Sequence, residues 1–170
     1  MITTSTLALG VVAAGFSFAA YNATTFFAYK HFNGKKTNED VAQYVKEAAT
    51  QYKHNVAYTP NEYPNALASY NHQHDLVSFH GDVKDIVFLA SMVRCSVKEV
   101  VFSLIAHELG HRDTPDIHTY NTASIAYKFK AISLEREAWE RGKAYRNNRH
   151  YNRLNQINIR AYQAHGYLDM

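Results

Sequence analysis

The sequence predicts a mostly helical α+β domain with one small antiparallel hairpin, preceded by an N-terminal hydrophobic helix. Three observations carry this reading. Apolar residues recur at helical spacing over most of the chain after residue 37. One stretch, Ala66 to His80, instead alternates as strands do, around a turn at Asn71 to His74. The first 29 residues contain no charged side chain. At 170 residues the chain is long enough for one domain with a real core. The expected division is a hydrophobic helix or membrane anchor over 1–29, a linker over 30–37, and one folded domain over 38–170.

The leading run, Leu7 to Tyr29, is 23 residues long, and a helix of about 20 apolar residues spans the hydrocarbon core of a bilayer. Gly10, Gly15, Ser17 and Asn22 interrupt it, and small residues are tolerated in membrane helices. A single-pass membrane helix is the leading expectation. Lys30, Lys35 and Lys36 follow the run and none precedes it, which puts the domain on the cytoplasmic side. The alternatives are a cleaved signal peptide with secretion, or a helix packed on the domain or on sister subunits of a homo-oligomer.

His31 to Lys36 reads as the linker, turning at Asn33-Gly34. A helix follows from Asn38 to about His54, capped by Thr37 or Asn38, with Val41, Tyr44, Val45 and Ala48 on one face. Thr59 to Pro64 breaks the chain with two prolines. After the hairpin, Asp82 caps a helix over Val83 to Val93. The next helix starts at Ser96 and ends near Arg112, because Thr114 precedes Pro115 and is pushed out of helical geometry. Two more follow, within Thr122 to Tyr145 and from about Tyr151 to Ala164.

Composition narrows the function classes. The formal net charge of +3 is too mild to argue for nucleic acid. The basic, aromatic-interleaved tail, Arg146 to Met170, reads as a solvated helix face, with single-stranded nucleic acid as the weaker reading. Cys95 is the sole cysteine, so the fold needs no internal disulfide.

The chemistry lies in His107-Glu108-Leu109-Gly110-His111, an H-E-x-x-H sequence. Residues four apart share a helix face, so both histidines point at one spot. Two neutral imidazoles suit zinc, and the adjacent carboxylate is set to take a proton from a metal-activated water. Ser96 and Glu99 read as a capping box fixing the helix start. Val97, Val100, Val101, Phe102, Leu104 and Ile105 make that helix apolar nearly all round, hence central. Buried there, two histidines and a glutamate would be costly without a metal. Gly110 leaves room for another backbone to pass close.

A catalytic zinc needs a third protein ligand and one open position. Asp113, Asp116, His118, Glu135, Glu137 and Glu140 are the downstream candidates. The metzincin continuation would need glycine at 114 and histidine at 117, where this chain has Thr114 and Ile117. Drawn as a helix, the segment around Glu135 puts Ala131, Ile132, Ala138, Trp139 and Gly142 beside it, an apolar face that must look inward. Glu137 sits among Lys130, Ser133, Glu140 and Arg141, a polar face. Glu135 is therefore the expected third ligand, since an inward carboxylate needs a compensating partner. Glu137 is the fallback.

With these residues the chain resembles the gluzincins, thermolysin-like zinc peptidases with H-E-x-x-H on one helix and a glutamate ligand on a later one. A small residue three positions after that glutamate is part of their pattern, matched here by Glu135 and Ala138. The Glu-x-Glu-Ala form is also similar to the small ImmA/IrrE-type peptidases. Those families usually have Asp next, supporting a histidine ligand from behind; this chain has Trp139. The resemblance covers His80 to about Arg146 and implies a minimal zincin-like domain. It further implies that a peptide substrate adds alongside a sheet edge, for which Asp75 to His80 is the natural candidate.

The expected function is a zinc metalloendopeptidase acting on protein or peptide substrates. His107, His111 and Glu135 would hold zinc, and Glu108 would act as general base. Tyr120, His118, Tyr145 and His150 are open candidates for the oxyanion donor. The rival is a membrane-associated structural or assembly protein whose metal site only stabilises. The presence of Glu108 speaks against it, because a structural site has no need of a base.

Overall fold

The computed structural model describes residues 4–62, 66–112 and 125–168, with side chains described over 19–62, 66–112 and 131–161. In chain order the elements are α1 (Thr4–Asn33), α2 (Asn38–Tyr52), β1 (Val56–Tyr58), β2 (Ala68–Asn71), β3 (Leu76–Phe79), α3 (Val83–Val93), α4 (Val97–Gly110), α5 (Ile125–Gly142) and α6 (Arg149–Leu168). The α+β class and its helical majority are as expected.

Local chemistry sets the helix boundaries. The Thr37 hydroxyl accepts from the Asp40 amide at 3.3 Å, and the Asp40 carboxylate accepts from the Thr37 amide at 2.9 Å. This is a closed capping box at the start of α2. Asp82 accepts from the amides of Lys84 and Asp85 at 2.8 and 3.0 Å, fixing the start of α3. Helices α2 and α3 both end at a left-handed residue, Lys53 and Arg94.

At α4 only half of the expected capping box forms. Ser96 accepts from the Glu99 amide at 3.2 Å. The Glu99 carboxylate turns instead to Arg146 and Asn148 at the start of α6. An arginine with a two-toothed grip outcompetes a single backbone amide.

Helix α4 is the centre. From Val97 to Gly110 its residues are buried with the exceptions of Lys98 and Glu99. Helices α2, α3, α5 and α6 and the sheet pack around it. Val41, Val45, Phe79, Ile86, Trp139 and Tyr151 fill the spaces between, each at most 2% exposed. Burying side chains of this size stabilises by about 1.5–3 kcal/mol each before entropy is counted.

The sheet departs from expectation. The hairpin forms, β2 antiparallel to β3 with Ser69 opposite Ser78. A third strand, β1, runs parallel on the other side of β3, with Ala57 opposite Ser78. The sheet is therefore mixed, in the order β1-β3-β2. Residues 75–80, expected as the exposed edge, instead contain the central strand. Three residues of β1 are too few to show a period-2 pattern, and a parallel partner leaves no hairpin signature in the sequence.

Helix α1 runs three residues into the stretch expected as linker. Its last residue, Asn33, is fully buried. The side-chain amide of Asn33 donates to the Cys95 carbonyl at 3.0 Å, and its oxygen accepts from the Val97 amide at 3.2 Å. One asparagine thus ties α1 to the α3–α4 junction and satisfies one of α4's open amides. Among the described residues no helix is long and apolar enough to cross a membrane. The expected membrane-spanning helix is accordingly unsupported, although the side chains of residues 1–18 lie outside the described residues.

Candidate metal centre

The site forms where α4 and α5 cross. Gly110 lies so close to α5 that a Cβ there would stand 1.9 Å from the Ala138 carbonyl oxygen. A Cβ on Gly142 would stand 2.6 Å from the Ala106 carbonyl oxygen. Backbone meets backbone at both points, and only glycine permits it. This crossing carries Glu135, one turn before Trp139, up to the last turn of α4.

Three donors converge there. Nε2 of His107 and Nε2 of His111 are 3.3 Å apart. The Glu135 carboxylate has Oε2 at 3.2 Å from the first and Oε1 at 3.6 Å from the second. Donors at roughly 2.0–2.1 Å from a tetrahedral zinc stand about 3.3–3.4 Å from one another. Each imidazole nitrogen thus has a carboxylate oxygen of Glu135 near such an edge length, a different oxygen for each ring, and one donor atom from each residue lies within 4.8 Å of the others. The group also meets the general condition for holding a metal ion, and a His, His, Glu donor set is of the open, three-ligand kind. Nδ1 of His107 is buried with no hydrogen-bond partner among the described residues.

The electrostatics suit a cation. Burial, the neighbouring His107 and the nearby His72 hold the His111 imidazole down to about 4, so it is neutral at pH 7 and its lone pair is free to bind. Glu108 is 8% exposed, with Oε1 4.0 Å from Nε2 of His107. Burial, with help from the Glu135 charge, pushes its carboxyl up to about 7 despite the opposing pull of His107.

Glu137 lies apart from this group. Its side chain is 46% exposed and paired to Arg141, which follows from its polar face on α5. Among the oxyanion candidates, His150 lies near the start of α6, where its Nε2 accepts from Arg149 at 3.3 Å. Tyr145 packs edge-on against Tyr52 at 5.8 Å. Asp113, Asp116, His118 and Tyr120 lie outside the described residues.

Two further residues bear on the site: Trp139, whose inward position was legible but whose contact was not, and His72. Trp139 stacks on the His107 ring at 4.3 Å between centroids, with the planes 19° apart. It is itself held by Tyr151, whose hydroxyl donates to the Trp139 carbonyl at 2.8 Å. His72, in the β2–β3 turn, adds a small part to the lowering of the His111 imidazole. It packs edge-on to Tyr70 at 4.9 Å. Its separation of 39 positions from His111 leaves no periodic signal.

No family model, no curated protein and no solved structure matches this chain.

Proposed function

We propose that the protein is a zinc-dependent metallopeptidase. The observation that carries this reading is the convergence of His107, His111 and Glu135 at spacings of 3.3, 3.2 and 3.6 Å, beside the buried Glu108 carboxylate, which lies outside that donor group. When bound, zinc would supply a Lewis acid and an acidified water. The chain supplies the rest. His107 and His111 offer neutral imidazoles from one helix face, and Glu135 offers charge from a second helix. Glu108 accepts a proton from the attacking water and passes it to the leaving amine.

Strand β2 is the edge we assign to the substrate. It has β3 on one side only, packs against α4, and leads into the turn that holds His72. An extended peptide added there would run alongside the site with its amides paired to the strand. This replaces the 75–80 edge expected from sequence.

The test is hydrolysis of a mixed peptide library by purified protein with and without chelator, beside Glu108→Gln. Expected are chelator-sensitive cleavage by the wild type and none by Glu108→Gln, with zinc retained in both. A wild type that takes up one zinc and cleaves nothing would assign the centre the stabilising role of a structural or assembly protein.

A further inference from the structure

The outer face of α1 is wrong for water. Between residues 19 and 29 its covered side chains fall on one stripe, Asn22, Thr25, Phe26 and Tyr29. The remaining residues are exposed and uncharged, with Tyr21 at 60% and Phe27 at 63%. A helix packed on one stripe normally carries charge on the other side. The hydroxyls of Thr24 and Thr25 do not reach outward either: each donates back to its own helix at 2.8 Å, to the carbonyls of Ala20 and Tyr21. The face therefore needs no water to satisfy these donors. Helix α3 extends it. Phe26 meets Phe88 edge-on at 6.1 Å, and Phe88 and Met92 remain 56% and 39% exposed.

Charge identifies what covers this surface. Residues 1–38 hold Lys30, Lys35 and Lys36 and no acidic side chain. The other 132 residues hold fifteen basic and fifteen acidic groups. Lys36 is paired to Asp40 at 3.3 Å, which leaves Lys30 and Lys35 beside α1, with Arg94 of α3 over the Tyr21 ring at 5.2 Å. An aromatic face bordered by Lys30, Lys35 and Arg94, with Asp85 the exposed carboxylate one turn before Phe88, fits an anionic lipid surface.

We propose that the folded domain itself rests on an anionic bilayer, through the outer face of α1 and through Phe88 and Met92 of α3. This needs no membrane-spanning helix: it is a contact made by the folded domain along its surface. It is independent of the hydrolase reading.

The test uses the full chain carrying an environment-sensitive fluorophore on Phe88→Cys or Met92→Cys, with Lys46→Cys on exposed α2 as the control. Cys95 is 4% exposed and burial pushes its thiol up to about 12, so it does not compete for label. Vesicles of phosphatidylcholine alone are compared with vesicles that also contain phosphatidylglycerol. Expected are flotation on the order of 100-fold tighter on the anionic vesicles, from Lys30, Lys35 and Arg94 near the surface, and a blue shift at 88 and 92 but not at 46. Flotation without that shift overturns the domain contact and leaves attachment by residues 1–29 standing. No flotation overturns both. A shift without vesicles, with a dimer by light scattering, means a second copy covers the face and also overturns the proposal.

Discussion

Trp139 lies face to face with the imidazole of His107, 4.3 Å away and 19° from parallel. This flat, fully buried wall restricts the rotation of the imidazole. The consequences can be read directly, because Trp139 is the chain's only tryptophan.

Metal binding should change Trp139 emission. Titration of zinc into metal-free protein is expected to give a spectral change that saturates at one equivalent. The same titration of Glu135→Ala should give none below about 100-fold higher zinc, a loss at least as large as that of an outer partner. An unchanged spectrum while dialysis shows bound zinc would place the ion away from His107.

Metal content separates the two glutamates. Glu135→Ala should lose zinc, and Glu137→Ala should retain it, because the latter carboxylate is half exposed and engaged with Arg141. Elemental analysis of the two variants beside wild type decides this, and loss only in Glu137→Ala would reverse the ligand assignment.

Gly110→Ala should destabilise by about 1–3 kcal/mol or more, since its Cβ would meet the Ala138 carbonyl oxygen at 1.9 Å. The helices must separate to admit it, which draws Glu135 away from the histidines. Urea unfolding and zinc affinity should both suffer. A variant with native stability would mean that the crossing is looser than described.

Acid should weaken the clamp between α4 and α6. Burial alone would raise the Glu99 carboxyl, but the hydrogen bonds and charge of Arg146, with Asn148, outweigh it and hold the group below its ordinary value. A depressed carboxyl stabilises the fold at all pH above its unfolded value, and that contribution disappears as pH falls through the folded one. Glu99→Gln should therefore cost about 1.5–3 kcal/mol at pH 7, and the difference from wild type should vanish in strong acid. Denaturant titrations at a series of pH values measure it. A gap independent of pH would remove the ion pair as the cause.

Asn33→Ala should cost on the order of 1–3 kcal/mol by stranding the buried Cys95 carbonyl and Val97 amide. Chemical denaturation is the readout. Near-native stability would show that α1 is dispensable to the fold.

The sequence by itself determined the helices and which polar groups they turn inward. Periodicity and caps mark α2, α3 and α4, and i,i+4 spacing puts His107 and His111 on one face. The single inward carboxylate of α5 was legible from the apolar residues beside it. These are local properties, decided within one or two helical turns. Tertiary structure decided what meets what. That β3 is central and β2 the edge depends on a parallel strand of three residues, and that Trp139 backs His107 depends on two glycines letting α4 and α5 touch. Such contacts join residues far apart in the chain, where packing of specific shapes, rather than any pattern along the sequence, selects the partner.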